Sequence, residues 1–162
     1  MKVLNYCKVF IISLFLFSAC GETKPASAEQ SKGVSTMTTE ISVQIGEHRF
    51  ELFLLNNETA LEFKKILPLK IRMIELNGNE KYSYLTKPLP ASPKNITEIK
   101  TGDLMLFSDD CLVLFYKDFK TSYRYTPIGR LRNPQKLSEI LGKDSVEISF
   151  ISQGSNNALS PE

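Results

Sequence analysis

At 162 residues the chain has room for one ordinary domain and little more. Twenty basic side chains against 18 acidic ones leave a formal net charge of +2, which excludes a strongly basic nucleic-acid binder. One His and three Cys argue against a His- or Cys-based metal site, while 42% hydrophobic and 23% charged residues describe a folded domain.

The first stretch reads as an address. Lys2 and Lys8 flank the start of an apolar run, 9–17 (VFIISLFLF), which is too short to span a bilayer comfortably. Phe17-Ser18-Ala19-Cys20 follows, completing a signal-peptide layout. These residues also resemble the bacterial lipoprotein signal, which ends in small residues and a Cys, with cleavage just before it. Phe17 stands where Leu is more usual. The resemblance implies that residues 1–19 are removed and that Cys20 carries lipid. It places the protein at a membrane of the cell envelope, outside the cytoplasm. An ordinary secretory peptide cut nearby, for example after Ala28, is the other reading.

Losing residues 1–19 removes Lys2 and Lys8 and no acid, so the mature chain is neutral. A neutral chain has little long-range steering toward charged partners. Cys7 leaves with the signal and Cys20 takes lipid. Cys111 then stands alone, and the fold must rest on its core without a disulfide. Lying in an apolar run, Cys111 reads as a buried, inert thiol. The single His, His48, is distant in sequence, so no Cys-His pair for nucleophilic catalysis is expected.

Residues 20–39 are small and polar and read as a flexible tether. Residues 152–162 read as a disordered tail. Between them, 40–151 form one domain, dominated by strand signals. Ile41, Val43 and Ile45 alternate with polar residues, Gly46-Glu47 can turn the chain, and Phe50 to Leu55 returns. Thr59 and Glu62 have capping-box spacing ahead of a helix over 60–67, stopped by Pro68. Its apolar face is Leu61 or Ala60, with Phe63, Ile66 and Leu67. Leu69 to Leu76 alternates and ends at the turn dipeptide Asn77-Gly78. Pro88, Pro90 and Pro93 mark a loop over 86–98. Leu104–Phe107 and Leu112–Tyr116 form a strand pair around Asp109-Asp110. Tyr123–Leu131 is a further strand. Asn133-Pro134 is expected to cap a second helix, with Gly142 ending it. Val146–Ile151 is the last strand. About eight strands and two short helices predict a mainly β, closed or nearly closed barrel with helices at its ends.

Several words then resemble known proteins. Gly46 with Phe50-Glu51-Leu52-Phe53, followed by Thr59-Ala60, Phe63 and Leu67, resembles the opening hairpin and first helix of cyclophilins. Leu67-Pro68-Leu69, Asn77-Gly78-Asn79-Glu80-Lys81-Tyr82, Gly102-Asp103-Leu104-Met105-Leu106, Cys111 to Lys117, Thr121-Ser122-Tyr123 and Ile128-Gly129-Arg130 resemble the bacterial cyclophilin-like fold proteins. The resemblance spans nearly all of 40–151. It implies an eight-stranded cyclophilin-like barrel with two helices. It implies no activity, because fold is not function.

Prolyl isomerisation needs an Arg aimed at the prolyl nitrogen and an apolar slot for the ring. Arg72, in Lys70-Ile71-Arg72-Met73-Ile74, falls where the resemblance would put that Arg. The flanking Phe and His are absent, as are the Gln-Gly-Gly segment and the aromatic-rich strand. Arg72 therefore reads as a solvent-facing residue between buried Ile71 and Met73, and no catalytic residue is assigned. The best binding patch is 116–136. Here Lys117, Lys120, Arg124, Arg130, Arg132 and Lys136 interleave with Tyr116, Phe119, Tyr123 and Tyr125. Such a surface suits anionic or ring-bearing ligands. Tyr116, Tyr125 and Arg130 are the first ligand-binding candidates, with Asp118 orienting an arginine. Asp103, Asp109 and Asp110 lack calcium-loop spacing. Glu80 with Lys81, after the Asn-Gly turn, can form a polar pair beside a pocket, but such a pair is more often a surface pair of little energetic worth. The expected function is a non-catalytic module for a small ligand or peptide, with the membrane as partner through the lipid, no nucleic acid, no metal and no cofactor. A degenerate prolyl isomerase is the alternative.

Overall fold

The structure is a computed structural model, and it describes residues 39–152. The lipobox, Cys7, Cys20, the tether up to 38 and the tail from 153 lie outside the described residues. Eleven strands and two helices follow in order. They are β1 (Thr39–Ile45), β2 (His48–Leu54), α1 (Glu58–Lys65), β3 (Leu69–Leu76), β4 (Glu80–Tyr84), β5 (Lys94–Asn95), β6 (Glu98–Ile99), β7 (Asp103–Phe107), β8 (Cys111–Phe115), β9 (Phe119–Lys120), β10 (Arg124–Leu131), α2 (Leu137–Leu141) and β11 (Val146–Ser152).

Eight of these strands close into an antiparallel barrel. The order is β1-β11-β3-β4-β8-β7-β10-β2, and β2 returns to β1. Closure leaves those strands without free edges. The seam is the β10–β2 pairing, Gly129 opposite Leu54 through Leu131 opposite Leu52. A Cβ on Gly129 would sit 2.4 Å from the Phe53 carbonyl oxygen. That explains why the Ile-Gly-Arg word needs its Gly: the two backbones approach too closely for a side chain. The short strand β5 adds to β10 at Arg124 and Tyr125, and β6 and β9 form a separate two-stranded ribbon.

Two apolar clusters hold the fold. The barrel interior is filled by the inward residues of β1, β2, β7, β8 and β11, with Ala60 and Phe63 of α1 and Leu137 and Leu141 of α2. The Phe63 and Phe150 rings meet edge to face, 5.4 Å apart. A second cluster lies outside the wall and comprises Ile99, Met105, Cys111, Val113, Phe115 and Tyr125. Strand β8 is therefore buried on both faces. Its unbroken apolar run, Cys111-Leu112-Val113-Leu114-Phe115, reflects that: Leu112 and Leu114 face in, while Cys111, Val113 and Phe115 face out.

Both helix starts differ from expectation. The N-cap of α1 is Asn57, whose side chain accepts from the Ala60 N–H. Thr59 lies inside the helix, buried, and its hydroxyl donates to the Pro90 carbonyl. Two cap-type residues compete here, and the one in extended backbone wins. Leu61 is exposed, so the inner face of α1 is Ala60 and Phe63. Asn133 does not cap α2, because its backbone is left-handed (φ 50°) rather than extended. Gly142 ends α2 as expected, with φ 57°.

Candidate functional site

A groove of about 330 Å³ opens on the outer face of the barrel wall. Its floor is β8, through Cys111 and Val113. One side is β4, which presents Glu80, Tyr82 and Tyr84 on alternate positions. The other side is Phe107 at the end of β7 with Tyr123 and Tyr125 at the start of β10. Strand order alone brings these together: β4 pairs with β8, β8 with β7, and β7 with β10. The register sets Tyr84 opposite Cys111, Tyr82 opposite Val113 and Glu80 opposite Phe115. Leu76 and Asn77 complete one end.

The aromatic rings brace one another. Tyr82 and Tyr84 pack edge to face at 6.0 Å. Phe107 meets Tyr123 edge to face at 6.2 Å and Tyr125 at 5.6 Å. Tyr125 also meets Phe115 at 5.4 Å. At the Phe115 end the outer cluster is roofed by Phe119 of β9, at 5.6 Å, and by Ile99 of β6. The groove is the part of this outer cluster that the ribbon leaves open.

The groove carries acid and no base. No Lys, Arg or His is among its lining residues. Glu80 is only 8% exposed, yet among the described residues its carboxylate has no hydrogen bond or ion pair. Burial, then the nearby Glu75 charge, pushes its carboxyl above the usual range. Burial also raises the Cys111 thiol to about 11, with Asp110 and Glu80 adding to it. This suits an inert thiol and not a nucleophile. Burial raises the Tyr125 phenol to about 12, with Glu80 again contributing.

The opposite face of β4 points into the barrel. Lys81 is fully buried, and its Nζ donates to the carbonyl oxygens of Gly142 at 3.0 Å and Asp144 at 2.7 Å. It also meets Glu75 Oε2 at 2.6 Å. The Tyr116 hydroxyl donates to the same carboxylate at 2.8 Å. Burial pushes the Glu75 carboxyl up, but Lys81, Tyr116 and the Gly78 N–H more than offset this, and the net direction is down. Burial, followed by the bond to Glu75, pushes the Tyr116 phenol up to about 12. Lys81 thus ties the segment after α2 to the barrel, and the Tyr116 hydroxyl is held by Glu75.

A model of the Cyclophilin-like family matches residues 43–151, well over half of the chain. The chain belongs to the Cyclophilin-like family. It is similar to the solution structure of the hypothetical protein AF2241 from Archaeoglobus fulgidus, at 16% identity, over 76% of this chain and 99% of that one, with a TM-score of 0.49. No curated protein matches.

In this Cyclophilin-like barrel the four ligand-binding candidates do not form one site. Tyr125 lines the outer groove. Tyr116 belongs to the barrel interior, bound to Glu75. Asp118 and Arg130 flank the same turn but do not pair. Asp118 accepts from the Thr101 N–H at 2.7 Å and hydroxyl at 2.8 Å. Arg130 bonds instead to Asp103, which also accepts from the Lys100 N–H at 2.8 Å. Arg130 is thus structural, holding a carboxylate that is itself 3% exposed.

The basic patch disperses as well. Arg132 pairs with Glu51 at 3.0 Å and lies over the Phe53 ring, and Arg124 donates to the Pro93 carbonyl at 2.7 Å. Alternation along the strands sends Tyr123 and Tyr125 to the groove and Arg124, Arg130 and Arg132 elsewhere, while Lys117 lies over the Tyr116 ring at 5.8 Å, beside a separate cavity that it lines with Tyr116 and Lys143. Arg72 is exposed as expected, and its Nε donates to Ser145 Oγ at 2.8 Å. Glu80 and Lys81 are not a surface pair. They point to opposite faces of β4, and both are buried. Among the groove residues, sequence reasoning does not single out Tyr82, Tyr84 and Phe107, and it sets Glu80 beside a pocket only as half of a pair with Lys81. The signal in the sequence was the spacing Glu80-x-Tyr82-x-Tyr84, one face of one strand.

Proposed function

We propose that this is a lipid-anchored cell-envelope protein whose Cyclophilin-like barrel is a non-catalytic module, binding a small ligand or peptide in the outer aromatic groove. The observation that carries the binding reading is the groove itself. About 330 Å³ lined by five aromatic side chains, a carboxylate and a thiol is at the small end of ligand-site sizes. The rings are fixed by mutual packing, which lowers the entropy a ligand must pay for ordering them. The lipid anchor rests on Phe17-Ser18-Ala19-Cys20 alone.

Isomerase chemistry needs an Arg free to reach a prolyl nitrogen. The Arg72 guanidinium is engaged with Ser145 Oγ, and Arg72 is not among the groove residues. The test is a proline-peptide isomerisation assay paired with a binding titration of the same peptide. The binding-module reading expects no acceleration above background and no change in Arg72→Ala. Acceleration that falls in Arg72→Ala overturns it in favour of the enzyme.

A further inference from the structure

The groove has one feature that a general apolar slot lacks. Glu80 is more than nine-tenths buried, lines the groove, and has no polar partner among the described residues. Its carboxylate is not fully enclosed but opens onto the groove, and a carboxylate in a mostly apolar groove favours a counter-charge. The described residues supply none: the nearest cation on the same strand, Lys81, faces the other way and is held by Glu75, Gly142 and Asp144. Glu80 shares the groove with the rings of Tyr82, Tyr84, Phe107, Tyr123 and Tyr125, with Tyr82 two residues along the same strand face. Aromatic faces attract cations and repel anions, because the ring quadrupole is negative above its plane. Carboxylate and rings therefore select the same ligand charge.

We propose that the groove is a site for a small organic cation, an ammonium head on a short apolar or ring-bearing body, with Glu80 as counter-ion and the tyrosines as walls. This rests on the groove being the binding site. The size agrees with the assignment. Tyr84 and Glu80 are four residues apart on one strand face, about 13 Å at strand rise, so the slot takes a body of modest length ending on the carboxylate. The field agrees too. The Cys111 thiol and the Tyr125 phenol, on two other strands, are each pushed up in part by Glu80, the response expected of groups in a negative pocket.

The chain has no Trp and six Tyr, four of which line the groove, so tyrosine fluorescence reports on it directly. The experiment uses the full chain in dodecyl maltoside, titrated with choline, with its neutral isostere 3,3-dimethylbutan-1-ol, with an alanyl-proline peptide and with a lysine-containing peptide. Choline should bind saturably, and the alcohol about tenfold more weakly. Glu80→Gln should weaken choline about tenfold and leave the alcohol unchanged. Tyr84→Ala changes a side chain that is 65% exposed, so it should fold normally and still weaken choline. Melting temperatures confirm that both variants are folded. If the alcohol or the proline peptide binds as well as choline, or Glu80→Gln is indifferent, the cation assignment falls; the groove reading stands if Tyr84→Ala still weakens that binding and falls with it if Tyr84→Ala is indifferent too. If only the lysine peptide binds, and through Glu80, the small-molecule assignment falls. If none of the four gives a saturable response, the cation assignment and the groove reading fall together.

Discussion

Two carboxylates five residues apart, on opposite faces of the same hairpin, behave in opposite ways. Glu75 meets Lys81 and Tyr116, and its carboxyl is held below the ordinary 4.5. It contributes stability above pH 4.5, and that contribution is lost as pH falls through its native value. Glu80 has no partner among the described residues, and burial holds its carboxyl above 4.5. The unfolded chain releases that proton first, so stability falls as pH rises from 4.5 through the native value and then levels off. Chemical denaturation at pH 7 and pH 3.5 should show the contrast. Glu75→Gln should lose stability at pH 7 and less at pH 3.5, which lies below the ordinary 4.5. Glu80→Gln should gain stability at pH 7, and the gain should vanish at pH 3.5. Equal shifts at both pH values would contradict these environments. Arg130→Ala belongs at the same scale. It removes one donor from nearly buried Asp103 and should cost about 1–2 kcal/mol. Choline binding should not change, since Arg130 does not line the groove.

At the scale of elements, the barrel depends on one close approach and one buried pin. Gly129 allows β10 to close on β2, and a Cβ there meets backbone, which cannot rotate away. Gly129→Ala should cost about 3 kcal/mol or more, read as a fall in denaturant midpoint, because the seam must open to admit it. Lys81 pins the end of α2 through two carbonyls and Glu75. Lys81→Met should cost about 3 kcal/mol, with hydrogen exchange accelerated first in Leu137–Leu141 and Val146. The same elements show what could be read in advance. Strand β3 and its Asn77-Gly78 turn were legible because an eight-residue alternation ends at a dipeptide whose members both take positive φ (57° and 71°). Gly46 was legible for the same reason, at φ 56°. Strands β5, β6 and β9 were not, since two residues cannot display a period of two. The start of α1 turned on which of two polar residues took the cap: Asn57 holds the extended backbone, and the Thr59 hydroxyl goes to Pro90; α2 starts with no side-chain cap.

At the scale of the molecule, the groove was the hardest thing to see. Its residues run from Leu76 to Tyr125 and come from five strands, β3, β4, β7, β8 and β10, and the segments beside them. They become neighbours only through the order β4-β8-β7-β10, which local patterning does not encode. The aromatic half of the stretch 116–136 was recognised as a place for ligands, but the charge expected there was positive. Strand bends sent Arg130 to Asp103 and Arg132 to Glu51, leaving Glu80 as the groove's only charge. The anchor is a separate matter and has its own test. Cys20→Ser should release the protein from the membrane fraction or leave it unprocessed, because the several acyl chains of a lipoprotein hold firmly where one does not. A mutant that still partitions through lipid would contradict the anchor.

The central claim is that the open end of the outer aromatic cluster, over Cys111 and Val113, is where this barrel meets its ligand. Backbone amide shifts recorded with isotope-labelled protein during a choline titration test it most directly. The account predicts changes concentrated at Glu80, Tyr82, Tyr84, Phe107, Cys111, Tyr123 and Tyr125, with Arg72, Ser145 and Arg130 unmoved. Changes centred on Arg72 and Ser145, or on Tyr116 and Lys143 at the end closed by α2, would contradict it.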